Sequence, residues 1–148
     1  MYKKVILLLA FFLLVSAFAY AEEKFTVSGE VTFQYDGSIY ICLLTMEEFR
    51  DFIIPGHKLS QSPCKVTQMN TDLKKAGKVS FMFDNIPKGT YCVFTYQDVN
   101  MNGEVDYEGL DMNEPCGSYK EGAIGVYPSW GIIKFDLEKD ITGIKIEM

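Results

Sequence analysis

The stretch Asp98-Val99-Asn100-Met101-Asn102-Gly103-Glu104-Val105-Asp106 sets a short oxygen-bearing side chain at every second position, then a glycine, then further carboxylates. A hard cation such as Ca²⁺ takes about six to eight oxygens at roughly 2.3–2.6 Å, and short Asp and Asn side chains let a backbone wind tightly enough to supply them. In that reading Asp98, Asn100 and Asn102 offer side-chain oxygens, Glu104 its backbone carbonyl, and Asp106 a direct or water-mediated contact. The pattern keeps to the D-x-[DN]-x-[DN]-G loop over its first nine positions and departs at the twelfth, where Gly109 stands in place of a bidentate Glu. Glu108 and Asp111, with Glu114 just beyond, are the carboxylates placed to close the shell. The competing reading is an Asn-Gly hairpin turn. It accounts for Asn102-Gly103 but gives Asp98 and Asn100 no purpose, and Asp98, Glu104, Asp106, Glu108, Asp111 and Glu114 would repel one another uncompensated.

The elements that must hold this loop read as strands. Phe25, Val27, Gly29, Val31 and Phe33 alternate with polar residues, so one face of a strand is buried. Asp36-Gly37 then turns the chain into Ser38 to Leu44, apolar on both sides and therefore central, and the two strands are expected to form a hairpin. Thr45 and Glu48 have capping-box spacing, and Phe49, Phe52 and Ile53 share a helical face before Pro55-Gly56, which predicts the one short helix, closing an open end of the core. Strands follow over Ser62 to Met69, Lys78 to Phe83 and Thr90 to Gln97, with Asn70 to Gly77 a polar connection. The strand ending at Gln97 runs straight into Asp98, so the loop hangs from a core strand. Asn113 to Gly125 reads as irregular, and Ile132 to Leu137 and Ile141 to Met148 as two last strands. About seven short strands with turns between them predict an all-β fold, an antiparallel β-sandwich with one short helix.

Residues 1–21 stand outside that domain. A basic head at Lys3 and Lys4, an apolar run from Val5 to Phe18 and the small-x-small triplet Ala19-Tyr20-Ala21 make a secretory signal peptide, leaving residues 22–148 as a single domain. The chain carries 14 basic and 20 acidic side chains; taking Lys3 and Lys4 away with the leader leaves 12 against 20, a net charge of −8. That balance argues against nucleic acid or an anionic membrane as partner. No apolar span follows the leader, so a monomer outside the cytoplasm, periplasmic or extracellular, is expected. Export permits disulfides among Cys42, Cys64, Cys92 and Cys116. Three pairings are open; the order-of-chain pairing, Cys42 with Cys64 and Cys92 with Cys116, is the one favoured. The spacing lacks a C-x-x-C pair and the chain has one histidine, His57, in a polar setting, so zinc is not indicated and His57 is given no role.

The run Phe83-Asp84-Asn85-Ile86-Pro87-Lys88-Gly89-Thr90-Tyr91, the segment Tyr96-Gln97 through Asp106, and Glu114-Pro115-Cys116-Gly117 together resemble domain of unknown function family 2141, small exported bacterial proteins. The resemblance implies a transthyretin-like or carboxypeptidase-regulatory-like β-sandwich with Asp98, Asn100, Asn102 and Asp106 in its acidic loop. Gln97 stands where the family usually has His. Cys92 and Cys116 replace Ala and an aromatic, a paired departure that favours a bridge between them. No activity comes with the resemblance, and fold analogy supplies none.

Three functions are compared on this basis. A Ca²⁺-stabilised binding or accessory module, attaching to a protein or glycan of the envelope, fits the acidity, the leader and the loop. A small exported hydrolase acting on glycans through the acidic loop would draw paired carboxylates from Asp106, Glu108, Asp111 and Glu114. A carrier would need a large cavity in a domain whose inward positions are filled by Phe, Ile and Leu. The binding module is favoured and no catalytic set is assigned. Tyr119, Tyr127 and Trp130 could form an exposed platform, but plugs at the end of the core are the expected role.

Overall fold

A strand that is apolar on both faces needs neighbours on both edges and cover on both sides, and two paired strands, Ser38–Leu44 and Gly89–Asp98, organise the molecule on that principle. The computed structural model describes residues 23–109, 111–120, 122–126 and 128–148. The leader expected at 1–21 lies outside them, as does Tyr127. Along the chain come β1 (Lys24–Thr32), β2 (Ser38–Leu44), α1 (Met46–Phe52), a 3-10 turn (Leu59–Gln61) and β3 (Cys64–Thr67). Then follow α2 (Thr71–Ala76), β4 (Lys78–Pro87), β5 (Gly89–Asp98), β6 (Tyr107–Glu108) and β7 (Asp111–Ser118). The chain finishes with β8 (Gly122–Val126), α3 (Trp130–Ile133), β9 (Phe135–Leu137) and β10 (Ile141–Glu147).

The strands form two sheets, a small one ordered β10-β1-β4 and a seven-stranded one ordered β3-β2-β5-β7-β6, with β8 beside β7 and β9 beside β5. Val27 and Val31 of β1, Phe81 of β4 and Ile144 and Ile146 of β10 meet Ile39, Ile41 and Leu43 of β2 and Val93 of β5 in the core between the sheets. The opposite face of β2 and β5, carrying Cys42, Leu44, Phe94 and Tyr96, makes a second core under Phe49, Phe52 and Ile53. The all-β sandwich read from the sequence is present. Helix α1 is capped as expected, Thr45 and Glu48 exchanging both capping-box bonds, but it covers a face of the large sheet rather than an open end.

Several local expectations are corrected. β1 and β2 do not form a hairpin: β1 pairs with β4 and β10, β2 with β3 and β5. The polar outer face of β1 suits the small sheet, whereas β2 needs cover on both faces, so the connection at 33–37 crosses between layers. β1 and β10 run parallel, so the sandwich is not wholly antiparallel, and ten strands are described rather than seven. Asn70 to Gly77 contains α2, its N-cap Asn70 accepting from the backbone N–H groups of Asp72 and Leu73 and its C-cap Gly77 left-handed. Ile132 belongs to α3, leaving a short β9. The segment expected to be irregular, Asn113 to Gly125, holds most of β7 and of β8; the ladder between them shifts register between Asp111 and Cys116, around Pro115, which cannot donate to it.

Cys42 and Cys64 face each other across β2 and β3 and are bonded. The expected second bridge is overturned: Cys92 and Cys116 remain buried thiols. Cys116 lies opposite Tyr96 on β5, four residues along the strand from Cys92. At roughly 3.3 Å per residue that offset is about 13 Å, well past the Cα separation of about 4.4–6.8 Å a disulfide spans. Cys116 instead sets its sulfur against Met112 Sδ at 3.1 Å.

Candidate metal centre

β5 ends at Asp98, which sits opposite Ser38 in the ladder with β2 and is only 2% exposed. From this fixed point the chain winds through Met101 at φ 56° and Gly103 at φ 74°, and the two left-handed residues tighten the turn. Asp98 Oδ1 accepts from Asn102 N at 3.1 Å and Oδ2 from Gly103 N at 3.0 Å. Asn100 Oδ1 accepts from Asn102 N and Asn102 Oδ1 from Glu104 N. The amide nitrogens of Asn100 and Asn102 both donate to Asp106 Oδ2, each at 2.8 Å. The side chains of Asn100, Asn102 and Asp106 thus meet, while the Asp98 carboxylate is taken up by two backbone N–H groups of the same loop. Rotating either Asn amide would put an oxygen where the nitrogen now points.

Glu104 turns its backbone, not its carboxylate, toward the loop. Residues 58 and 104 form an antiparallel bridge closed by the bonds from Leu59 N to Gly103 O and from Val105 N to His57 O. In such a pair the N–H and C=O of residue 104 point away from the partner strand, on the side where Asn102 Oδ1 receives the Glu104 N–H. Its carboxylate turns outward to pair with Lys58. Glu108 and Asp111 are placed differently: they face each other across β6 and β7, exposed, on the face opposite to Tyr107 and Met112. Neither hydrogen-bonds to the loop among the described residues.

The carboxylate that does reach the loop is Glu114, 6% exposed. Its Oε1 accepts from Val99 N at 2.7 Å and Asn100 N at 3.0 Å, and its Oε2 from the Tyr96 hydroxyl at 2.7 Å. Tyr96 Oη in turn accepts from Asp106 N at 2.8 Å. One buried Tyr–Glu pair therefore holds both ends of the loop. Burial, helped by the neighbouring Glu114 and Asp106 carboxylates, drives the Tyr96 phenol well above its ordinary pKa, so it stays a donor. Tyr40, opposite Tyr96 in the ladder, is also raised, by burial and then by the Asp98 charge. The sequence offers Glu114 only as a carboxylate beyond the loop that could close the shell; its tie to Tyr96 depends on β7, whose inward face is Met112, Glu114 and Cys116, a period-two signal with one carboxylate in an apolar row.

Two carboxylates, Asp98 and Glu114, are thus buried at the same loop. The ion pairs among the described residues are Lys58–Glu104, Lys74–Asp36, Lys78–Glu30 and Lys88–Glu138, and none involves either of them. Buried charge without a counter-charge is expensive. No three His, Cys, Asp or Glu side chains among the described residues form a metal-binding cluster. The loop instead gathers two carboxylates, Asp98 and Asp106, with amide and backbone oxygens, a donor set suited to a hard cation. His57, by contrast, is half-buried, its Nε2 2.8 Å from Ser62 Oγ and its ring against Phe52; no carboxylate hydrogen-bonds its other nitrogen among the described residues. Trp130 packs on Phe49 and Tyr119 edge-on to Phe135, so both serve the cores.

Residues 27–145 match the family DUF2141, described as an uncharacterized protein conserved in bacteria. The chain belongs to this family. For this DUF2141 member the match reaches into both sheets and spans the whole acidic loop. No curated protein and no solved structure matches the chain significantly. Among the described residues no helix is long and apolar enough to cross a membrane.

Proposed function

We propose that this protein is a non-catalytic β-sandwich binding module of the bacterial envelope, exported by its leader and stabilised by Ca²⁺ in the loop at 98–106. One observation carries the reading: Asp98 is buried with no basic partner among the described residues, in the same loop where the Asn100 and Asn102 amides gather on Asp106. Asp98, Asn100, Asn102 and Asp106 would hold the ion by side-chain oxygens and Glu104 by its carbonyl, with water completing the shell. The ion would neutralise the carboxylates and fix the loop; it performs no chemistry. The Cys42–Cys64 bond suits an oxidising compartment, and the acidic balance suits a protein or glycan partner rather than nucleic acid.

With no bidentate Glu at the twelfth position, the affinity belongs with extracellular modules, on the order of 10⁻⁴–10⁻³ M. An ion that binds only the folded state stabilises by about 2.7 kcal/mol when its free concentration is a hundredfold above Kd. Thermal unfolding in chelator, Ca²⁺ and Mg²⁺ tests this. Ca²⁺ at tens of millimolar should raise Tm, and Mg²⁺ should act poorly because it demands a tighter octahedron. Asp98→Ala with Asp106→Ala should abolish the response. An unchanged wild-type midpoint in Ca²⁺ would reduce the stretch to a hydrogen-bonded turn.

A further inference from the structure

Beside the loop lies a groove of about 400 Å³ lined by Tyr35, Val99, Met112, Asn113, Glu114 and Pro115. One wall is Tyr35, from the crossover between β1 and β2; the other is the Asn113–Pro115 stretch of β7, with Val99 at the start of the loop between them. Both walls are fixed from beneath by buried polar side chains. Gln97, fully buried, donates from Nε2 to the Tyr35 carbonyl at 2.6 Å, and Glu114 holds the Val99 N–H. The crossover is also seated tightly: at Gly37, with φ of 134°, an added Cβ would fall 2.3 Å from the Asp98 carbonyl oxygen. The groove is therefore formed before any ligand arrives, as small-molecule sites commonly are. Gln97 Oε1 has no hydrogen-bond partner among the described residues. A buried acceptor left so costs stability, and what Gln97 secures is the place of Tyr35.

The chemistry of the lining selects the ligand. Tyr35 is 55% exposed and offers a flat apolar face with few rotatable bonds. Val99 is exposed beside it, Met112 and Pro115 supply apolar surface, and the exposed Asn113 amide both donates and accepts. Asp98, Asp106 and Glu114 stand close by, so an anion is disfavoured, and a small cation would be drawn to the loop carboxylates instead. A ring with an apolar face and a rim of hydroxyls meets every one of these conditions without carrying charge. We propose that the groove binds a neutral saccharide, one or two sugar units, stacked on Tyr35 with hydroxyls directed at Asn113. The groove shares Val99 and Glu114 with the loop but needs no cation, so this site stands apart from the ion reading.

The test is a titration followed by backbone amide NMR, using the trimer of N-acetylglucosamine, cellotriose and maltotriose as probes, each in Ca²⁺ and in chelator. At least one probe should give saturable shifts centred on Val99, Asn113 and Glu114 in either buffer. Tyr35→Ala should weaken that binding roughly tenfold or more, while Tyr35→Phe, which keeps the ring face, should not. Asn113→Ala, also at an exposed position, should weaken it independently. Saturable shifts from none of the probes in either buffer would overturn the proposal, as would full affinity in folded Tyr35→Ala. A calcium-dependent Tm without any saccharide response would sink the groove alone. Saccharide binding without a calcium response would sink the ion reading alone.

Discussion

At the scale of single residues, the Tyr96 hydroxyl and the Glu114 carboxylate are the least replaceable groups at the loop. Glu114→Ala leaves two backbone N–H groups and a phenol without their acceptor; charged hydrogen bonds contribute about 1.5–3 kcal/mol each, so a loss of at least about 3 kcal/mol is expected in urea unfolding. Glu114→Gln, which keeps one acceptor oxygen, should lose less, and Tyr96→Phe about 1–2 kcal/mol. Both Tyr96→Phe and Glu114→Ala should also blunt the calcium response, because each frees one end of the loop. The thiols give a second residue-scale prediction. Burial pushes Cys92 from 9.0 up to about 12. The folded state thus prefers the neutral thiol, and its contribution to stability is complete below pH 9 and lost as pH rises from about 9 to about 12. Native protein at pH 8 should resist alkylation, and denatured, unreduced protein should show two thiols, Cys92 and Cys116. Four thiols would mean that Cys42 and Cys64 are not bonded, and none would restore the second bridge.

Among the elements, β3 depends most on a covalent tie, since among the described residues it is the edge of the large sheet and pairs with β2 alone. The Cys42–Cys64 bond closes a separation of 22 residues, worth about 3 kcal/mol in the chain-entropy account. Reduction should lower the unfolding free energy by about that amount, with amide protection lost first in β3; an unchanged urea midpoint would show the tie to be redundant. Which elements could be read from the sequence follows from how local their causes are. Helix α1 was legible because its capping box and its apolar residues lie within nine positions, Thr45 to Ile53. β7 was not, because Pro115 and Gly117 look like breakers until β5 and β8 are there to hold the strand on both edges. α2 was hidden for the opposite reason: it buries no residue, so no apolar periodicity announces it. In the acidic loop, the alternating Asp and Asn residues lie within one short stretch, whereas Glu114 reaches it only through a strand pairing.

The whole molecule has two cores on opposite faces of one sheet, and only one of them touches the acidic loop, through Tyr96 and Val105. Alternation along β1 and the unbroken apolar run of β2 reveal which side chains are buried, but neither pattern says in which sheet a strand sits. That is why the sandwich was legible and the β1–β2 crossover was not. The arrangement should separate stability from ion binding. Ile146→Ala, in the core between the sheets, should cost roughly 2–5 kcal/mol yet leave the calcium dependence of Tm intact. If its calcium response falls as far as that of Tyr96→Phe, the two cores act as one.

The parallel ladder between β1 and β10 also sets an order of events in time. Thr32 and Ile146, joined by a hydrogen bond, are 114 residues apart. Whether the chain leaves a ribosome or an export channel, β1 emerges early and must wait for almost everything else before β10 can dock. Until then one edge of β1 lacks its final neighbour, and contacts closed over so long a span form late. Until β10 docks, β1 is held on one edge alone, by β4, and the small sheet stays incomplete.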